Sequence, residues 1–424
     1  MIARLWRDKA AKGFMQLLGG NALTSVAQGI QFFILARSLG PSEFGKVAAA
    51  NGVWQLLMPF AGLGSPNVMI MRAAREPAVL PLYLGNAFLN VLVTGILIVT
   101  FATFAITPAL NGQVPILVMG ITGIAELCGT RVVDVCWQVF MAREELRVTS
   151  MFLSAQSVAR LFTAAAFATF VERPTAEQWI WWVLAGSMFV GAWTGVTTLR
   201  KVGRLRIDVR LLFRELGVGV AFALGQSARG FYTDADKMFL ARYTSATVVG
   251  QYTMAFRVVQ IALTVIRALA MALQTRLYRA GHAGIFEALQ LTKRVLKPTV
   301  IGALLLAVAF YVAAPLLTVI AGERYLPSVE MLRFMCLMPL ATAVSVLLLE
   351  ALWTSTGYQR AAAISQIITA VLVCALSIAL IPRLGWSGAA LASYIAQAAL
   401  CGLTLFSMYR GRGVDPTLRN TSAS

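Results

Sequence analysis

The sequence predicts an all-α polytopic membrane protein with about twelve transmembrane helices in two six-helix lobes related by a parallel internal repeat. Three observations predict this fold. Hydrophobic residues make up 58% of the 424-residue chain and the mean hydropathy is +0.74, which is too apolar for a soluble protein. The apolar residues form runs long enough to cross a bilayer. A polar motif of the first run also recurs in the second half of the chain.

The predicted spans are apolar runs of about 20 residues or more, the length that a helix needs to cross the hydrocarbon core. Their bounds are 13–36, 44–71, 80–107, 113–141, 149–171, 177–199, 213–241, 248–275, 297–321, 329–356, 360–381 and 385–409. Basic residues at the span ends concentrate on the side that carries the N-terminus. Because Lys and Arg are enriched in cytoplasmic loops, we expect both termini in the cytoplasm.

Five segments organise the chain around these spans. They are an N-terminal interfacial segment (1–12), an N-lobe of helices 1–6 (13–199), a basic cytoplasmic linker (200–212), a C-lobe of helices 7–12 (213–409) and a cytoplasmic tail (410–424). The linker predicts an orientation signal that also attracts anionic membrane lipid. A second cytoplasmic segment, 276–297, carries Ile285, Phe286 and Leu289 at helical spacing, which predicts an amphipathic helix on the membrane surface.

Composition and charge exclude several classes of function. The formal net charge is +18, but the basic residues fall mainly at helix ends, so nucleic-acid binding is not predicted. The five cysteines all lie in apolar segments and predict neither disulfides nor metal ligands. A single histidine, His282, lies in a polar loop and cannot supply a His-rich metal site. The sequence therefore predicts no metal, no cofactor and no catalytic centre.

Polar residues form a stripe along the seventh predicted span. They follow a +3, +4, +3 spacing that places them on one helix face, and they are Gln226, Arg229, Thr233 and Asp236. Lipid cannot solvate such a stripe, so we expect it to face a protein interior or a water-filled cavity. The first span carries a matching neutral stripe at the equivalent positions, which are Asn21, Thr24, Gln28 and Gln31.

The two halves of the chain share more than this stripe. Leu35-Ala36-Arg37 recurs as Leu240-Ala241-Arg242, and in both halves a glycine follows at the same distance, Gly45 and Gly250. Each half starts on the cytoplasmic side, so the repeat is parallel. Transporters built from parallel repeats bind substrate between the halves and rock around it.

Several motifs carry a resemblance to a known family. FFILARSLGPSEFGKVAAANGVWQLL (32–57) and GLGSPNVMIMRAAR (62–75) resemble the first two helices of bacterial polysaccharide flippases, and ADKMFLARYTSATVVGQYTMAFRVV (235–259) resembles their seventh and eighth. AGERYLPSVEMLRFMCL (321–337) and LIPRLGWSGAALASYIAQ (380–397) resemble the segments leading into helices 10 and 12. These flippases are oligosaccharide-lipid exporters of the multidrug/oligosaccharidyl-lipid/polysaccharide (MOP) superfamily.

The resemblance implies a flippase rather than an enzyme. Its cargo would be a lipid-linked oligosaccharide, usually linked to undecaprenyl diphosphate, that moves from the cytoplasmic to the outer leaflet of the bacterial inner membrane. Export by alternating access would serve a surface polysaccharide such as O-antigen, capsule or exopolysaccharide. The polymerase and chain-length machinery of that pathway would be partners.

The candidate substrate-binding residues follow from the chemistry of such a cargo. Arginine donates bidentately to phosphate and stays charged, and side-chain amides and hydroxyls can hydrogen-bond sugars. The eighth span adds a stripe with arginines at both ends. The candidates are Arg229, Arg257, Arg267, Gln226, Thr233, Gln260, Asn21, Thr24, Gln28, Gln31 and Gln55. The carboxylates that could bind a coupling proton or sodium ion are Asp236, Asp134 and Glu350.

Other interpretations of the same residues stay open. The arginines could instead pair with Asp234 or Asp236 and stabilise packing, and the amides could join helices. Arg131 and Asp134 are three residues apart, which predicts an ion pair between them. For function, a drug/cation antiporter of the same superfamily is one alternative. A membrane polysaccharide polymerase or ligase is another, although such enzymes should present a large external loop.

Overall fold

The structure is a computed structural model that describes residues 2–73, 76–355 and 358–411. These residues form helices joined by short turns, and no β-strand occurs among them. The α-helices are α1 (Ile2–Leu57), α2 (Ser65–Ala73), α3 (Leu80–Ala105), α4 (Ile116–Ile124), α5 (Arg131–Ala142), α6 (Leu146–Phe170), α7 (Ala176–Val202), α8 (Val209–Tyr243), α9 (Ala246–Ala283), α10 (Ile285–Ala313), α11 (Leu316–Ala321), α12 (Leu326–Met335), α13 (Met338–Thr354), α14 (Gln359–Leu384) and α15 (Trp386–Gly411). The all-α prediction is confirmed.

Many of these helices are suited to a membrane. Within the described residues, seven helical segments are long and apolar enough to cross a bilayer, or eight if a pair bent by 43° at residues 336–337 is one span. The helices α1, α8 and α9, which carry the polar stripes, are long enough but are not among the seven. The protein is therefore a multi-pass membrane protein whose most polar long helices are those with the candidate binding residues.

Two breaks separate and shape the first two predicted spans. Helix α1 bends at Gly40, where φ is 73° and ψ is 170°, a conformation that favours glycine, and Pro41 follows. The sequence placed a loop between spans here. A second break follows Leu57, where a 3-10 turn at Met58–Phe60 and four turn residues precede α2. The second predicted span is thus two helices with irregular backbone between them.

Side chains from neighbouring helices satisfy the irregular backbone of this second break. Asn90 Nδ2 donates to the Gly62 carbonyl at 2.7 Å, and the Gly62 amide donates to Thr94 Oγ1 at 2.6 Å. Arg131 Nε donates to the Ala61 carbonyl at 3.2 Å. Non-helical backbone is tolerated at membrane depth only where protein groups replace the missing hydrogen bonds. These three side chains therefore stabilise the non-helical backbone between α1 and α2 in one conformation.

The chain divides into two compact units, Met1–Gly230 and Phe231–Ser424. The boundary falls inside α8, so the linker and the first part of α8 pack within the first unit. The lobe boundaries predicted from the sequence, with the linker at 200–212, stay a prediction.

Polar contacts dock the linker and the start of α8 onto the first unit. Asn86 Nδ2 donates to the Asp208 carbonyl at 3.0 Å, and the Asp208 amide donates back to Asn86 Oδ1 at 2.9 Å. Further along, the Glu215 carboxylate pairs with Arg72 at 2.8 Å and accepts a hydrogen bond from the Tyr83 hydroxyl at 3.3 Å. Hydrogen bonds to the backbone of Asp208 and the ion pair of Glu215 therefore fix the start of α8 on the first unit.

Gly219 lets α8 approach the second break closely. A Cβ at Gly219 would lie 2.3 Å from the Leu63 carbonyl oxygen, whereas a Cβ at Gly217, on the same helix, would meet nothing within 4 Å. We expect Gly219→Ala to lower the unfolding free energy by about 1–3 kcal/mol because the backbone must shift. Gly217→Ala should be neutral or stabilising by up to about 1 kcal/mol. Thermal unfolding of the two purified variants tests this, and equal midpoints would contradict it.

The surface helix predicted at 276–297 differs in the structure, and the interfacial placement of residues 1–12 stays a prediction. Residues 276–297 do not form a separate helix, because α9 continues to Ala283 and α10 begins at Ile285 after a turn at Gly284, where φ is 134°. Of the apolar residues in this segment, Ile285 and Leu289 join a buried cluster with residues of α13 and α15, whereas Phe286 is exposed. The backbone of residues 2–12 is the first part of α1, and the side chains of this segment lie outside the described part of the structure.

Candidate functional site

The predicted binding residues lie on three helices, α1, α8 and α9. The structure describes the helical backbone at every one of them. It does not describe the side chains of four, which are Asn21, Arg229, Thr233 and Arg267. For those four, the structure places each residue on a helix, and the orientation of the side chain stays a prediction.

The stripe on α1 is partly open. Gln28 is exposed, and its Nε2 donates to Ser157 Oγ of α6 at 3.3 Å, while Gln31 is half-buried. Thr24 Oγ1 is buried without a hydrogen-bond partner among the described residues. Gln55, beyond the bend in α1, is exposed. Gln28 therefore joins two helices and also presents polar surface, so the structure is consistent with both interpretations of the α1 amides.

The stripe on α9 occupies the least buried face of that helix. Arg257 is half-buried and its guanidinium donates to Gln260 Oε1 at 3.2 Å. Thr264, one turn further on, is exposed, whereas Tyr252 and Val259 on other faces are fully buried. The 38 residues of α9 contain four arginines and no acidic residue. This helix is therefore a strongly positive element whose arginine at position 257 lies beside an open face.

Asp236 is engaged in the packing of α8 against α9. It is 4% exposed, its Oδ2 accepts a hydrogen bond from the Tyr252 hydroxyl at 2.7 Å, and its Oδ1 accepts one from the Lys237 amide at 2.8 Å. The Lys237 ammonium lies 4.8 Å from the centre of the Phe256 ring. On the other part of α8, Gln226 is exposed. A role for Asp236 in ion coupling stays a prediction.

The other two carboxylates proposed for coupling lie on separate elements. Asp134 of α5 pairs with Arg131 at 3.2 Å, which confirms the pair predicted from their spacing, and it also accepts a hydrogen bond from Trp137 Nε1 at 3.1 Å. Glu350 is half-buried on α13. Among the described residues, no group of three or more His, Cys, Asp or Glu side chains could hold a metal ion.

A further charged pair was not predicted as a contact. Glu126 lies in a short π-helix, Ala125–Thr130, between α4 and α5, and its carboxylate pairs with Arg160 of α6 at 2.7 Å. The same Arg160 Nη2 donates to Thr130 Oγ1 at 2.7 Å. The two partners lie in different spans, so no local spacing connects them. The available signal was one acid and one base, each inside a predicted span.

The fold and the apolar helices together define a multi-pass helical membrane protein that carries charged stripes on some of its helices. Residues 10–274, more than half of the chain, match the profile of the family described as "Polysaccharide biosynthesis protein". The chain belongs to this family, and the resemblance drawn from its motifs is confirmed at that level. No curated protein matches the chain at a significant level.

Solved structures of MOP-superfamily transporters share the fold. An inward-facing multidrug resistance MATE transporter aligns with a TM-score of 0.74 at 15% identity, covering 94% of this chain and 96% of its own. An outward-facing MATE transporter gives a TM-score of 0.60 at 14% identity, with coverages of 95% and 99%. A MATE protein in the bent conformation gives a TM-score of 0.60 at 14% identity, covering 99% of this chain and 97% of its own. At these identities the likeness concerns the fold.

Proposed function

We propose that the protein is a flippase for a lipid-linked oligosaccharide, with undecaprenyl diphosphate as the lipid carrier. It moves this cargo from the cytoplasmic to the outer leaflet of the bacterial inner membrane, for export of a surface polysaccharide such as O-antigen, capsule or exopolysaccharide. No covalent bond of the cargo is made or broken. Membership of a polysaccharide biosynthesis family and a transporter fold support this function together.

The positive charge of α9 is the observation that carries the proposal. Arg257 and Arg267 lie ten residues apart, which is about 15 Å along a helix axis and about half of the hydrocarbon core. A charged side chain inside a span costs at least a few kcal/mol, so charges there serve an interaction. A diphosphate needs cationic donors while it crosses the membrane, and two arginines at different depths can bind it in turn.

The same charge argues against a cationic drug as cargo. The solved structures with this fold include multidrug transporters, and a cation would favour an acidic, aromatic cavity. Helix α9 contains no acid, and Asp236, one of the acids of α8, is buried against Tyr252. The anionic cargo is therefore the function that the described side chains support best. In this proposal both termini lie in the cytoplasm, and the partners are a polysaccharide polymerase and its chain-length machinery.

Deletion of the gene tests the proposal directly. We expect lipid-linked oligosaccharide to accumulate on the cytoplasmic leaflet, where it stays protected from a membrane-impermeant oxidant or lectin added to intact spheroplasts. Wild-type protein supplied from a plasmid should restore access to the probe. Completed repeat units that reach the outer leaflet but stay unpolymerised would instead indicate a polymerase. Normal surface polysaccharide together with drug sensitivity would indicate a drug exporter.

A further inference from the structure

Two of the arginine–carboxylate pairs in the first unit, Arg131–Asp134 and Arg160–Glu126, differ in which partner is the more exposed. In the pair of Arg131 and Asp134, the arginine is the more buried side chain, at 7% exposure against 18% for the aspartate. Arg131 Nε is also used, because it donates to the Ala61 carbonyl in the break before α2. This arginine therefore has a structural role, because it satisfies a backbone carbonyl that has no helical partner.

The pair of Arg160 and Glu126 has the opposite arrangement. The arginine side chain is 26% exposed and the glutamate beneath it is 8% exposed. The bonds to Glu126 and Thr130 both come from Nη2, and Nε is a buried donor without an acceptor among the described residues. A guanidinium offers five donors in a planar fork, so the two hydrogen bonds from Nη2 leave other donors of this side chain for a further acceptor.

Arg160 lies beside the polar stripe of α1. Ser157, which accepts the hydrogen bond from Gln28, is three residues before Arg160 on α6, so the two share one face of that helix. Gln28 is exposed and is one of the residues predicted to bind sugar hydroxyls. Arg160 is therefore one helical turn along α6 from the residue that binds Gln28. Its carboxylate partner lies in a π-helix, a feature that is frequent at functional sites.

The surroundings of the pair contain little other charge. Helices α3 and α7 both pack against the π-helix that carries Glu126. The sequence of α3 has no charged residue, and α7 has charges only in its first and last turns. Helix α5 also packs there, but its Arg131 and Asp134 pair with each other, so Glu126 is the carboxylate that compensates Arg160. An anion with more charge than one carboxylate, such as a diphosphate, can compete for the same guanidinium.

We infer that Arg160 is a binding point in the first unit for the diphosphate of the lipid-linked cargo, and that Glu126 holds its guanidinium in place until the cargo arrives. This inference rests on the proposed function and adds a residue to it. It assigns the first unit an anion-binding group in addition to the neutral amides of α1.

Binding to the full-length protein in nanodiscs of neutral lipid tests the inference. The probe is undecaprenyl diphosphate, measured by native mass spectrometry, with inorganic pyrophosphate and phosphatidylglycerol as competitors. We expect Arg160→Gln to weaken binding about 10- to 100-fold, the range for a lost charge-assisted hydrogen bond. Glu126→Gln should bind as well as wild type or more tightly, because the competing carboxylate is gone. Arg160→Lys keeps the positive charge but loses the planar fork of donors, so its affinity should lie between those of wild type and Arg160→Gln.

The glutamine variants are matched, since each breaks the same ion pair. If the pair is purely structural, Arg160→Gln and Glu126→Gln should weaken binding equally, and the loss should follow the fall in their thermal unfolding midpoints. That result would overturn the inference. Wild-type affinity in Arg160→Gln would overturn it while leaving the proposed cargo intact. If wild type binds no undecaprenyl diphosphate, the proposed cargo itself is wrong. Pyrophosphate should compete in wild type, and equal competition by phosphatidylglycerol would overturn recognition of the diphosphate.

Discussion

Arg257→Ala is expected to reduce export of lipid-linked oligosaccharide by about 10- to 100-fold in cells that lack the wild-type gene. The guanidinium lies beside the open face of α9 and is held there by Gln260 at 3.2 Å. A hydrogen bond to a charged group contributes about 1.5–3 kcal/mol, and each 1.4 kcal/mol is about a factor of ten. Arg257→Lys should retain part of the activity, because an ammonium keeps the charge but loses the bidentate fork.

Arg229→Ala on α8 is expected to have a similar effect, by analogy of charge and predicted depth. The matched control for both is Arg383→Ala, which removes an exposed arginine from the last turn of α14. The measurement is the amount of cargo accessible from outside spheroplasts, normalised to the protein level in the membrane. If Arg257→Ala exports cargo as the control does, α9 does not bind the diphosphate.

Asp134→Ala is expected to destabilise the protein by about 3–5 kcal/mol. It leaves the Arg131 charge buried without its carboxylate, and it removes the acceptor of Trp137 Nε1. Because Arg131 also holds the Ala61 carbonyl, movement of its side chain would disturb the break between α1 and α2. The effect should therefore appear in stability and in the amount of folded protein before it appears in transport.

A double variant separates charge from packing at this pair. Arg131→Met with Asp134→Leu replaces both partners by apolar groups and should be less destabilised than Asp134→Ala, since no uncompensated charge remains. It should not fully recover wild-type stability, because the bond to the Ala61 carbonyl is lost. Chemical denaturation in detergent micelles measures both. A change of less than about 0.5 kcal/mol for Asp134→Ala would show that the pair contributes nothing to folding.

Features that depend on neighbours in the chain could be predicted from the sequence. Apolar runs predicted the helices, and helices are present in all twelve predicted spans. The bend in α1 at Gly40 lies in the gap between the first two predicted spans, and the spacing of Arg131 and Asp134 predicted their ion pair. In each case the physical cause is local, since helical periodicity, backbone sterics and i, i+3 proximity act within a few residues.

Features that join distant segments needed the tertiary structure. Glu126 and Arg160 lie in different spans, and only helix packing brings their side chains to 2.7 Å. The apolar residues at 285–289 predicted a surface helix, but packing against α13 buries Ile285 and Leu289 and leaves only Phe286 of the three exposed.

The sequence by itself determined a helical membrane protein with charged stripes on particular helices. The tertiary structure decided how exposed each paired arginine is. The Arg131 side chain is 7% exposed, and the Arg160 side chain is 26% exposed although it also has a carboxylate partner. The physical reason is that the interaction of a charge depends on its distance from a partner and its access to solvent, and both are set by contacts between helices.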